Sequence, residues 1–271
     1  SNILAKLRER LSDALIAADW LGNGDKWRNL RKCAPDHVVA PEQLPKFLDN
    51  NVSAVRAVIH MGAISATTER NVDLLVERNI AYTAMLWDWC TENQIPLIYA
   101  SSAATYGDGA QGFDDDFSLA ALSRLQPMNA YGWSKHVSDL RIARIISQGR
   151  RRPPQWVGLK FFNVYGPNEM HKGDMMSVVA KIFPSAQRGE AVSLFKSHHA
   201  NYSDGGQMRD FIYVRDCAEA IAWTLENPAV NGLFNLGTGI ARSFADLAKS
   251  VFAALNREPN IVYIETPPEI R

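Results

Sequence analysis

The sequence lacks a net charge and any long apolar run. Lys+Arg and Asp+Glu both number 29, which gives a formal net charge of +0 at pH 7. No overall positive field therefore attracts nucleic acid or an anionic membrane surface. No uninterrupted apolar segment is long enough to span a bilayer, and no signal peptide is recognisable. We therefore expect neither nucleic acid nor membrane among the partners of this chain.

Cysteine is scarce, and its positions form no familiar pattern. The three cysteines, Cys33, Cys90 and Cys217, are odd in number, widely spaced and without a C-x-x-C pair. This usage is typical of a reduced, cytoplasmic protein. His198 and His199 are adjacent, so a strand would direct them to opposite faces. We therefore predict loop positions for these histidines and no metal site.

What the chain does contain is an alternation of apolar, strand-like segments with helical segments. The predicted strands are residues 14–18, 55–62, 96–100, 156–165 and 233–236, and the predicted helices are residues 3–11, 71–93, 129–147, 174–188, 216–226 and 243–255. Continuous apolar strands separated by helices favour an α/β fold with a doubly wound parallel sheet of the Rossmann type. We assign residues 1–167 to a dinucleotide-binding domain to which residues 209–237 return. Residues 168–208 and 238–271 are assigned to a smaller, C-terminal substrate-binding lobe.

The chain opens on a helix that leads into a strand ending at Asp19. In a dinucleotide-binding unit such a helix follows a first strand and a glycine-rich turn, and neither is in this sequence. We expect both to precede these residues in the full protein. Residues 107–112 match G-x-G-x-x-G literally, but Phe113 and three carboxylates follow instead of an apolar helix. We interpret this stretch as a mobile acidic loop.

Tyr131 and Lys135 are the leading candidates for catalysis. They lie four residues apart on a predicted helix and so share one face. A phenol titrates near pH ~10, and a nearby ammonium lowers that pKa and favours a general base. The alternative is an ordinary amphipathic helix with a half-buried tyrosine. The strand ends at Ser102 and Asn163 favour catalysis, because doubly wound sheets bind ligands beyond the carboxyl ends of their strands.

Several motifs occur in order over nearly the whole chain. They are S-S-A-A-T-Y-G at 101–107, Y-G-W-S-K at 131–135, F-N-V-Y-G-P at 162–167, R-D-F-I-Y-V-R-D at 209–216 and F-N-L-G-T-G at 234–239. This set resembles the extended short-chain dehydrogenase/reductases that act on nucleotide sugars. Residues 61–65, 67–69 and especially N-E-M-H-K-G at 168–173 are similar to the members that epimerise ADP-linked heptoses.

The resemblance implies an activity and its partners. These enzymes use bound NADP to invert C6 of an ADP-linked glycero-manno-heptose by transient oxidation, and they supply the heptose precursor of the lipopolysaccharide core. The resemblance also implies a homo-oligomer with an ADP-sugar substrate.

The resemblance further implies roles for individual positions. Ser102, Tyr131 and Lys135 match the catalytic Ser-Tyr-Lys set, and Lys172 matches a second catalytic base. The residues implied to hold the cofactor are Asp19, Trp20, Lys26, Met61, Gly62, Ala63, Ile64, Ser65, Asn79, Lys135, Val164 and Lys172. Those implied to bind the sugar nucleotide are Asn163, Asp174, Lys181, Phe195, Lys196, Ser197, His198 and Arg209. Trp20 departs from the family pattern, which more often has Asn, and Asp174 and Lys181 stand where Ser and His are expected.

Alternatives remain for the cofactor and for two side chains. A carboxylate at the position of Asp19 normally favours NAD, whereas Lys26 and the resemblance favour NADP. We therefore expect NADP, with NAD as the less favoured cofactor. Lys172 as a solvated loop residue, and Arg209 in an ion pair with Asp210, are the structural alternatives to their binding roles.

Three rival functions also remain. A dehydratase of the same family usually carries an Asp-Glu pair beside the threonine, whereas Thr105 is followed by Tyr106 and Gly107. An epimerase of another nucleotide sugar, such as a UDP-hexose, shares most of the motifs. A non-catalytic dinucleotide-binding regulator predicts the loss of Tyr131 or Lys135, and both are present.

Overall fold

The computed structural model describes residues 1–198 and 200–267, so His199 and residues 268–271 of the predicted substrate lobe lie outside the described residues. The strands of the described part are β1 (Ile16–Ala18), β2 (His37–Val39), β3 (Val58–His60), β4 (Leu97–Ser102), β5 (Trp156–Phe161), β6 (Asn163–Tyr165), β7 (Val192–Phe195), β8 (Met208–Tyr213), β9 (Gly232–Leu236), β10 (Ala241–Ser243) and β11 (Ile261–Ile264). Its α-helices are α1 (Asn2–Arg10), α2 (Leu44–Asn50), α3 (Val72–Leu75), α4 (Tyr82–Asn93), α5 (Leu119–Leu122), α6 (Ala130–Ser147), α7 (Val178–Arg188), α8 (Val214–Glu226) and α9 (Phe244–Ala254). Within the described ranges, none of these helices could cross a membrane.

The chain divides into two compact units. The first comprises Ser1–Phe161 with Ala218–Leu236, and the second comprises Phe162–Cys217 with the residues from Gly237 onward. The boundary follows β5 because β5 pairs with β4 and β9, whereas β6 pairs with β8. The single strand predicted over residues 156–165 is therefore wrong, since the chain passes from one sheet to another at Phe162.

A parallel sheet in the order β3-β4-β5-β9 lies at the centre of the first unit. Successive side chains of a strand point to opposite faces. On β4, Leu97 and Tyr99 pack with Ile142 of α6, whereas Ile98 packs with Ile221 of α8. Helices thus cover both faces of a parallel sheet. This arrangement confirms the predicted α/β, doubly wound fold class.

A short parallel pair, β1 with β2, completes the strands of the first unit. The helix α1 precedes β1 as predicted, and its Leu7 packs with Leu15 and with Ala222 of α8. The strand β2 has no counterpart among the predicted strands. Its three residues show the burial pattern of a largely exposed strand, so they carry no apolar run to recognise.

Two small sheets form the second unit. One has the order β10-β8-β6, with β8 antiparallel to β10 and parallel to β6, and the other pairs β7 with β11 in parallel. The helices α7 and α9 cover the second sheet, where Ile182 and Phe252 pack with Leu194. Side-chain caps fix where both helices begin: Ser177 accepts a backbone N–H at the start of α7, and Ser243 does so at the start of α9.

Candidate active site

The start of α6 is fixed against the turn that follows β4. The Asn129 side chain caps α6 by accepting the N–H of Gly132 at 2.8 Å. Gly132 permits a close approach, because a Cβ there would lie 2.7 Å from the carbonyl oxygen of Ala104. Ala104 belongs to the 3-10 turn Ala103–Tyr106, which Ser102 caps. The local sequence Asn-Ala-Tyr-Gly therefore places Tyr131 at the carboxyl end of β4.

Tyr131 and Ser102 come together as the motifs predict. The Ser102 hydroxyl lies beside the Tyr131 oxygen, and hydrogen bonding from Ser102 lowers the pKa of the phenol. Burial is the larger effect, however, and it raises the pKa of Tyr131 above its ordinary value. The expectation that Lys135 would lower this pKa is wrong in its net result, because desolvation of the phenolate dominates. At neutral pH, Tyr131 is thus a partly buried phenol beside a second hydroxyl.

Lys135 lies one helical turn further along α6 and is only 3% exposed. Its Nζ donates a hydrogen bond to the carbonyl oxygen of Ala100 on β4, at 2.9 Å. Burial lowers the pKa of Lys135 to about 8, and the nearby carboxylate of Asp139 opposes that shift. The ammonium therefore loses its proton only slightly above neutral pH, in the same part of the first unit as Tyr131.

The predicted cofactor loop follows β3, the neighbour of β4 in the sheet. It contains Met61, Gly62, Ala63, Ile64 and Ser65, has no regular secondary structure and exposes Gly62 and Ser65. Neighbouring strand ends of a doubly wound sheet are where such folds bind dinucleotides. The exposed Gly62 leaves the backbone of this loop accessible to a ligand. The end of β4, the neighbouring strand, carries Ser102 and lies against Tyr131 and Lys135 of α6. The residues present thus fit a nicotinamide dinucleotide.

Asn79 has a different role from the one predicted. It lies in a π-helical turn, Val76–Ala81, which interrupts the single helix predicted over residues 71–93. Its amide is fully buried, exchanges two 2.9 Å hydrogen bonds with the backbone of Ile64 and donates a third to Ser134 on α6. With each polar atom bonded to protein, Asn79 shapes the cofactor loop instead of offering a group to the cofactor.

The predicted ribose-binding residues form a charged cluster after β1. The Nζ of Lys26 lies 2.6 Å from a carboxylate oxygen of Asp19 and also donates to the carbonyl oxygen of Trp20. The guanidinium of Arg78 lies 4.6 Å from the centroid of the Trp20 ring. Both Trp20 and Arg78 donate hydrogen bonds to Glu42. Lys26 therefore neutralises the carboxylate that would otherwise repel a phosphate.

In the second unit, Lys172 lies on a turn that a buried glutamate holds. The Glu169 carboxylate accepts hydrogen bonds from the Gly166 N–H at 2.9 Å, and from the N–H and hydroxyl of Ser177, both at 2.8 Å. The Lys172 Nζ lies 3.8 Å from the same carboxylate and is partly exposed. Gly173 has a φ of 53°, in the left-handed region that favours glycine. Lys172 is thus an accessible cation on a fixed turn.

The other predicted residues of the second unit, which include Val164 of the cofactor set, lie on strands, on a 3-10 turn, on α7 and on irregular segments. Asn163 and Val164 lie on β6, in register with Phe211 and Ile212 of β8. Lys181 donates to the carbonyl oxygen of Asp174 at 2.7 Å, so these two positions contact each other. Phe195 is the last residue of β7, and His198 lies beyond it without regular secondary structure. Between them, the Lys196 ammonium pairs with Glu265, and the Ser197 N–H donates a hydrogen bond to Asp204.

Arg209 does not form the structural ion pair considered as its alternative. Asp210 accepts hydrogen bonds from the N–H groups of Thr238 and Gly239, at 2.8 to 2.9 Å, and from the Thr238 hydroxyl. Arg209 donates to the carbonyl oxygen of Met208 and is exposed on β8. The F-N-L-G-T-G motif thus uses Asp210 to fix its turn, which leaves the Arg209 side chain available to an anion.

The acidic loop is tied to the sheet. The Asn235 side chain on β9 donates to the carbonyl oxygen of Phe113 at 2.6 Å, and the Asn235 N–H donates to the Asp115 carboxylate at 2.9 Å. The Tyr106 hydroxyl bonds both Asn235 and the carbonyl oxygen of Asp114. These bonds contradict the mobility inferred from the sequence, which contained no signal for a partner 120 residues away.

The fold and these side chains agree with what sequence comparison shows. The chain belongs to the NAD dependent epimerase/dehydratase family, whose sequence model matches residues 1–237. It is 47% identical to the ADP-L-glycero-D-manno-heptose-6-epimerase of Nitratidesulfovibrio vulgaris (strain DP4), over 100% of this chain and 82% of that protein. It is 42% identical to the enzyme of the same name from Fusobacterium nucleatum subsp. nucleatum, over 94% of this chain and 76% of that protein.

Solved structures show the same fold. The crystal structure of Helicobacter pylori ADP-L-glycero-D-manno-heptose-6-epimerase matches with a TM-score of 0.79 at 24% identity, covering 98% of this chain and 81% of that chain. UDP-N-acetylglucosamine 4-epimerase from Methanobrevibacter ruminantium M1 matches with a TM-score of 0.80 at 21% identity, covering 99% and 82%.

Three buried charges are absent from the residues predicted from the sequence: Asp139, Lys160 and Glu169. Lys160 had a signal, because it is a cation within the apolar segment Trp156–Phe161. Asp139 follows Lys135 by one helical turn and could be inferred to share its face. Glu169 had none, since its partners are the Gly166 N–H and the N–H and hydroxyl of Ser177.

Proposed function

We propose that the protein is an epimerase that inverts C6 of an ADP-linked glycero-manno-heptose and so supplies the heptose precursor of the lipopolysaccharide core. The relatives that bear this activity in their names, at 47% and 42% identity, support the substrate. The observation that carries the reaction type is the Ser102–Tyr131 hydroxyl pair beside the buried Lys135 at the end of β4.

The side chains of this site account for the proton movements of an epimerisation. The nicotinamide, when bound, supplies the oxidation and reduction at the sugar carbon. In its phenolate form, Tyr131 takes the proton of the C6 hydroxyl and later returns it, while Ser102 donates a hydrogen bond to the same oxygen. A positive Lys135 stabilises negative charge that develops on the phenol oxygen. Inversion gives the C6 oxygen two positions, so we assign Lys172 as the second base.

Dehydration is less well supported than epimerisation. The Thr105 hydroxyl donates to the carbonyl oxygen of Ser102 and accepts a hydrogen bond from Lys160, so it is occupied within the protein. The next residue, Tyr106, is buried and bonded to Asn235. No carboxylate follows Thr105 directly, and elimination of water needs an acid and a base at that place.

NADP is the cofactor that the charged cluster after β1 supports. A free carboxylate at Asp19 would accept the ribose 2′-OH and repel a 2′-phosphate. The Lys26 ammonium, 2.6 Å from that carboxylate, cancels its charge. Arg78 adds a second cation above Trp20. Glu42 balances the charge of Arg78, so the support for NADP comes from the Lys26 ammonium beside Asp19.

Two further properties belong to the proposal. The homo-oligomer implied by the family resemblance is tested by sedimentation equilibrium, where a monomer mass at micromolar concentration would exclude it. A cytoplasmic location is supported by Cys33, Cys90 and Cys217, which are free and buried. Fractionation of cells that produce the full-length protein tests the location.

The decisive experiment follows the product in deuterium oxide. Purified full-length protein is incubated with ADP-D-glycero-D-manno-heptose, and the product is analysed by chromatography and mass spectrometry. After its exchangeable sites are returned to protium in water, we expect the L-glycero epimer with unchanged mass and no deuterium at C6, because hydrogen returns directly to the carbon from which it left. Deuterium at C6 would exclude direct return, and loss of one water would indicate a dehydratase.

The Tyr131→Phe variant tests the catalytic assignment. Removing the phenolic oxygen abolishes the proton transfer, so kcat should fall by about 10²–10⁴-fold. Cofactor affinity, measured by fluorescence titration, should stay close to that of the unmodified protein. Near-normal turnover in this variant rejects Tyr131 as the base.

A further inference from the structure

A buried polar network lies behind the catalytic side chains of the first unit. Asp139 follows Lys135 by one turn of α6 and is 1% exposed. Its carboxylate accepts a hydrogen bond from the Ser101 hydroxyl at 2.7 Å and an ion-paired bond from the Lys160 Nζ at 2.8 Å. Lys160, on β5, is also 1% exposed. A complete ion pair is thus enclosed between α6 and the sheet.

The network reaches both residues at the end of β4. From the Lys160 ammonium, a 2.6 Å hydrogen bond runs to the Thr105 hydroxyl, which donates to the carbonyl oxygen of Ser102 at 2.8 Å. The same ammonium lies 5.0 Å from the centroid of the Tyr106 ring. The network bonds Ser101 through its hydroxyl and Ser102 through its carbonyl oxygen. These hydrogen bonds fix the end of β4, from which the Ser102 hydroxyl extends.

Stability alone does not account for this ion pair. Removing two charges from water is costly, and apolar residues of similar volume often serve a core equally well or better. The place of the pair is more informative than its existence. Ser101 lies between two residues of the site. Ala100 precedes it and accepts the Lys135 hydrogen bond through its carbonyl oxygen, and Ser102 follows it with its hydroxyl beside Tyr131.

We propose that Asp139 and Lys160 are positioning residues for the reaction. They hold the end of β4 against Tyr131 and Lys135, and the Asp139 carboxylate acts electrostatically on the Lys135 ammonium. This inference rests on the proposed function for the identity of the reaction. Asp139 and Lys160 are buried and pair with each other, and their further hydrogen bonds include those to Ser101 and Thr105. They would therefore affect the reaction only through the catalytic residues.

The electrostatic part of the proposal has a definite sign. The Asp139 carboxylate favours the charged form of Lys135 and raises its pKa against the larger lowering by burial. It disfavours the phenolate of Tyr131 and raises that pKa as well. The titratable groups facing this part of α6 are His60 of β3, Tyr99 of β4, Tyr106 of the following turn, Lys160 of β5, and Tyr131 and His136 of α6 itself. The π-helical turn contributes the neutral Asn79, and its Glu77 is exposed.

The test replaces the ion pair without leaving one charge buried alone. The double variant Asp139→Leu/Lys160→Met keeps the volume apolar, whereas either single neutralisation strands a charge. Ser101→Ala is a milder second variant that removes one hydrogen bond to Asp139 and leaves the pair intact. Asp88→Asn is the matched control, because it breaks a more exposed ion pair, between Asp88 of α4 and Arg141 of α6.

The first readout does not need turnover. Full-length protein containing [ε-¹³C]lysine is titrated by NMR, and Lys135→Met assigns the resonance. With the Asp139 charge removed, the Lys135 titration should move below about 8, its value with Asp139 in place. Asp88→Asn should leave it unchanged. An unchanged Lys135 titration in the folded double variant overturns the electrostatic role and with it the proposal.

The second readout is the epimerisation rate. In the double variant kcat should fall about tenfold or more while KM stays within about twofold, because positioning acts on the transition state and not on binding. The pH above which activity is lost should also fall. Ser101→Ala should show the same effects, smaller, and unchanged kcat in both variants overturns the proposal. If the unmodified protein epimerises nothing, the proposed function fails and the Lys135 titration alone decides the positioning role.

Discussion

Asp19 and Lys26 show how one contact changes the meaning of a residue. A carboxylate at the end of the strand that precedes the ribose site normally selects NAD. Here the Lys26 ammonium bonds it directly. The second lysine bond, to the carbonyl oxygen of Trp20, fixes the ammonium in place. We therefore expect cofactor choice to depend on the pair and not on either side chain alone.

The variant Lys26→Met should therefore reverse the cofactor preference. Losing a charge-assisted contact and freeing the Asp19 carboxylate should weaken NADP binding about 10–100-fold, and NAD binding should change little. Fluorescence titration with each dinucleotide measures both affinities. Lys46→Met, which removes an exposed lysine of α2, is the control. Equal weakening of both cofactors would show that Lys26 does not read the 2′-phosphate.

At the scale of elements, the contact between α6 and the turn after β4 sets the geometry of the site. Gly132→Ala should destabilise the protein by about 1–3 kcal/mol, because the new Cβ would lie 2.7 Å from the Ala104 carbonyl oxygen and the helix must move. Helix propensity alone predicts the opposite sign, by about 1 kcal/mol. Urea denaturation gives the stability and initial rates give kcat, which should also fall. Gly24→Ala, with no atom within 4 Å of its Cβ, should change neither.

The turn that carries Lys172 depends on the buried Glu169. In Glu169→Gln, the amide can no longer accept every bond that the carboxylate receives from Gly166 and Ser177. We expect faster hydrogen exchange over residues 166–177 and a fall in kcat of about tenfold, because a loosely held base transfers protons less well. Glu190→Gln, at the exposed partner of Arg188, is the control. Faster exchange without any loss of kcat would remove Lys172 from the reaction.

At the scale of the whole molecule, the sequence predicted the fold class and the shared helix face of Tyr131 and Lys135 because both depend on local patterns. Apolar runs identified β4 and β5, and a four-residue spacing placed Tyr131 and Lys135 on one face of α6. Short or exposed strands such as β2 escaped prediction. So did the break at Phe162, because the apolar pattern continues while the pairing partner changes from β9 to β8.

Electrostatics was the part of the site that local sequence described least well. The spacing of Tyr131 and Lys135 suggested a lowered tyrosine pKa, but the degree of burial, which depends on the whole fold, reversed the direction. The partners of Asp139 come from other elements: Ser101 lies on β4, and Lys160 lies on β5. The contact of Ser101 and Lys160 with Asp139 depends on the order of the strands in the sheet. Residue spacing along one helix therefore cannot predict it.

Burial also links the stability of the first unit to pH. His60 is buried, and its Nε2 lies 3.0 Å from the Thr83 hydroxyl, which itself donates to the carbonyl oxygen of Asn79. His60 therefore donates through Nε2 and is neutral. Burial, together with the charge of Lys135, lowers the pKa of His60 to about 3. Since the unfolded chain takes up a proton near pH ~6.5 and the folded chain does not, stability should fall as pH falls from there towards 3.

His60→Gln should remove this dependence, because glutamine retains an N–H donor for Thr83 and does not titrate. Between pH 7 and pH 5 the unmodified protein should lose about 2 kcal/mol more than the variant, measured by urea unfolding at each pH. His37→Gln, at an exposed histidine, should follow the unmodified protein. The carboxylates titrate identically in all three proteins, so they cancel from the comparison. Parallel pH profiles for His60→Gln and the unmodified protein would mean that His60 takes up its proton in the folded state, against the burial seen here.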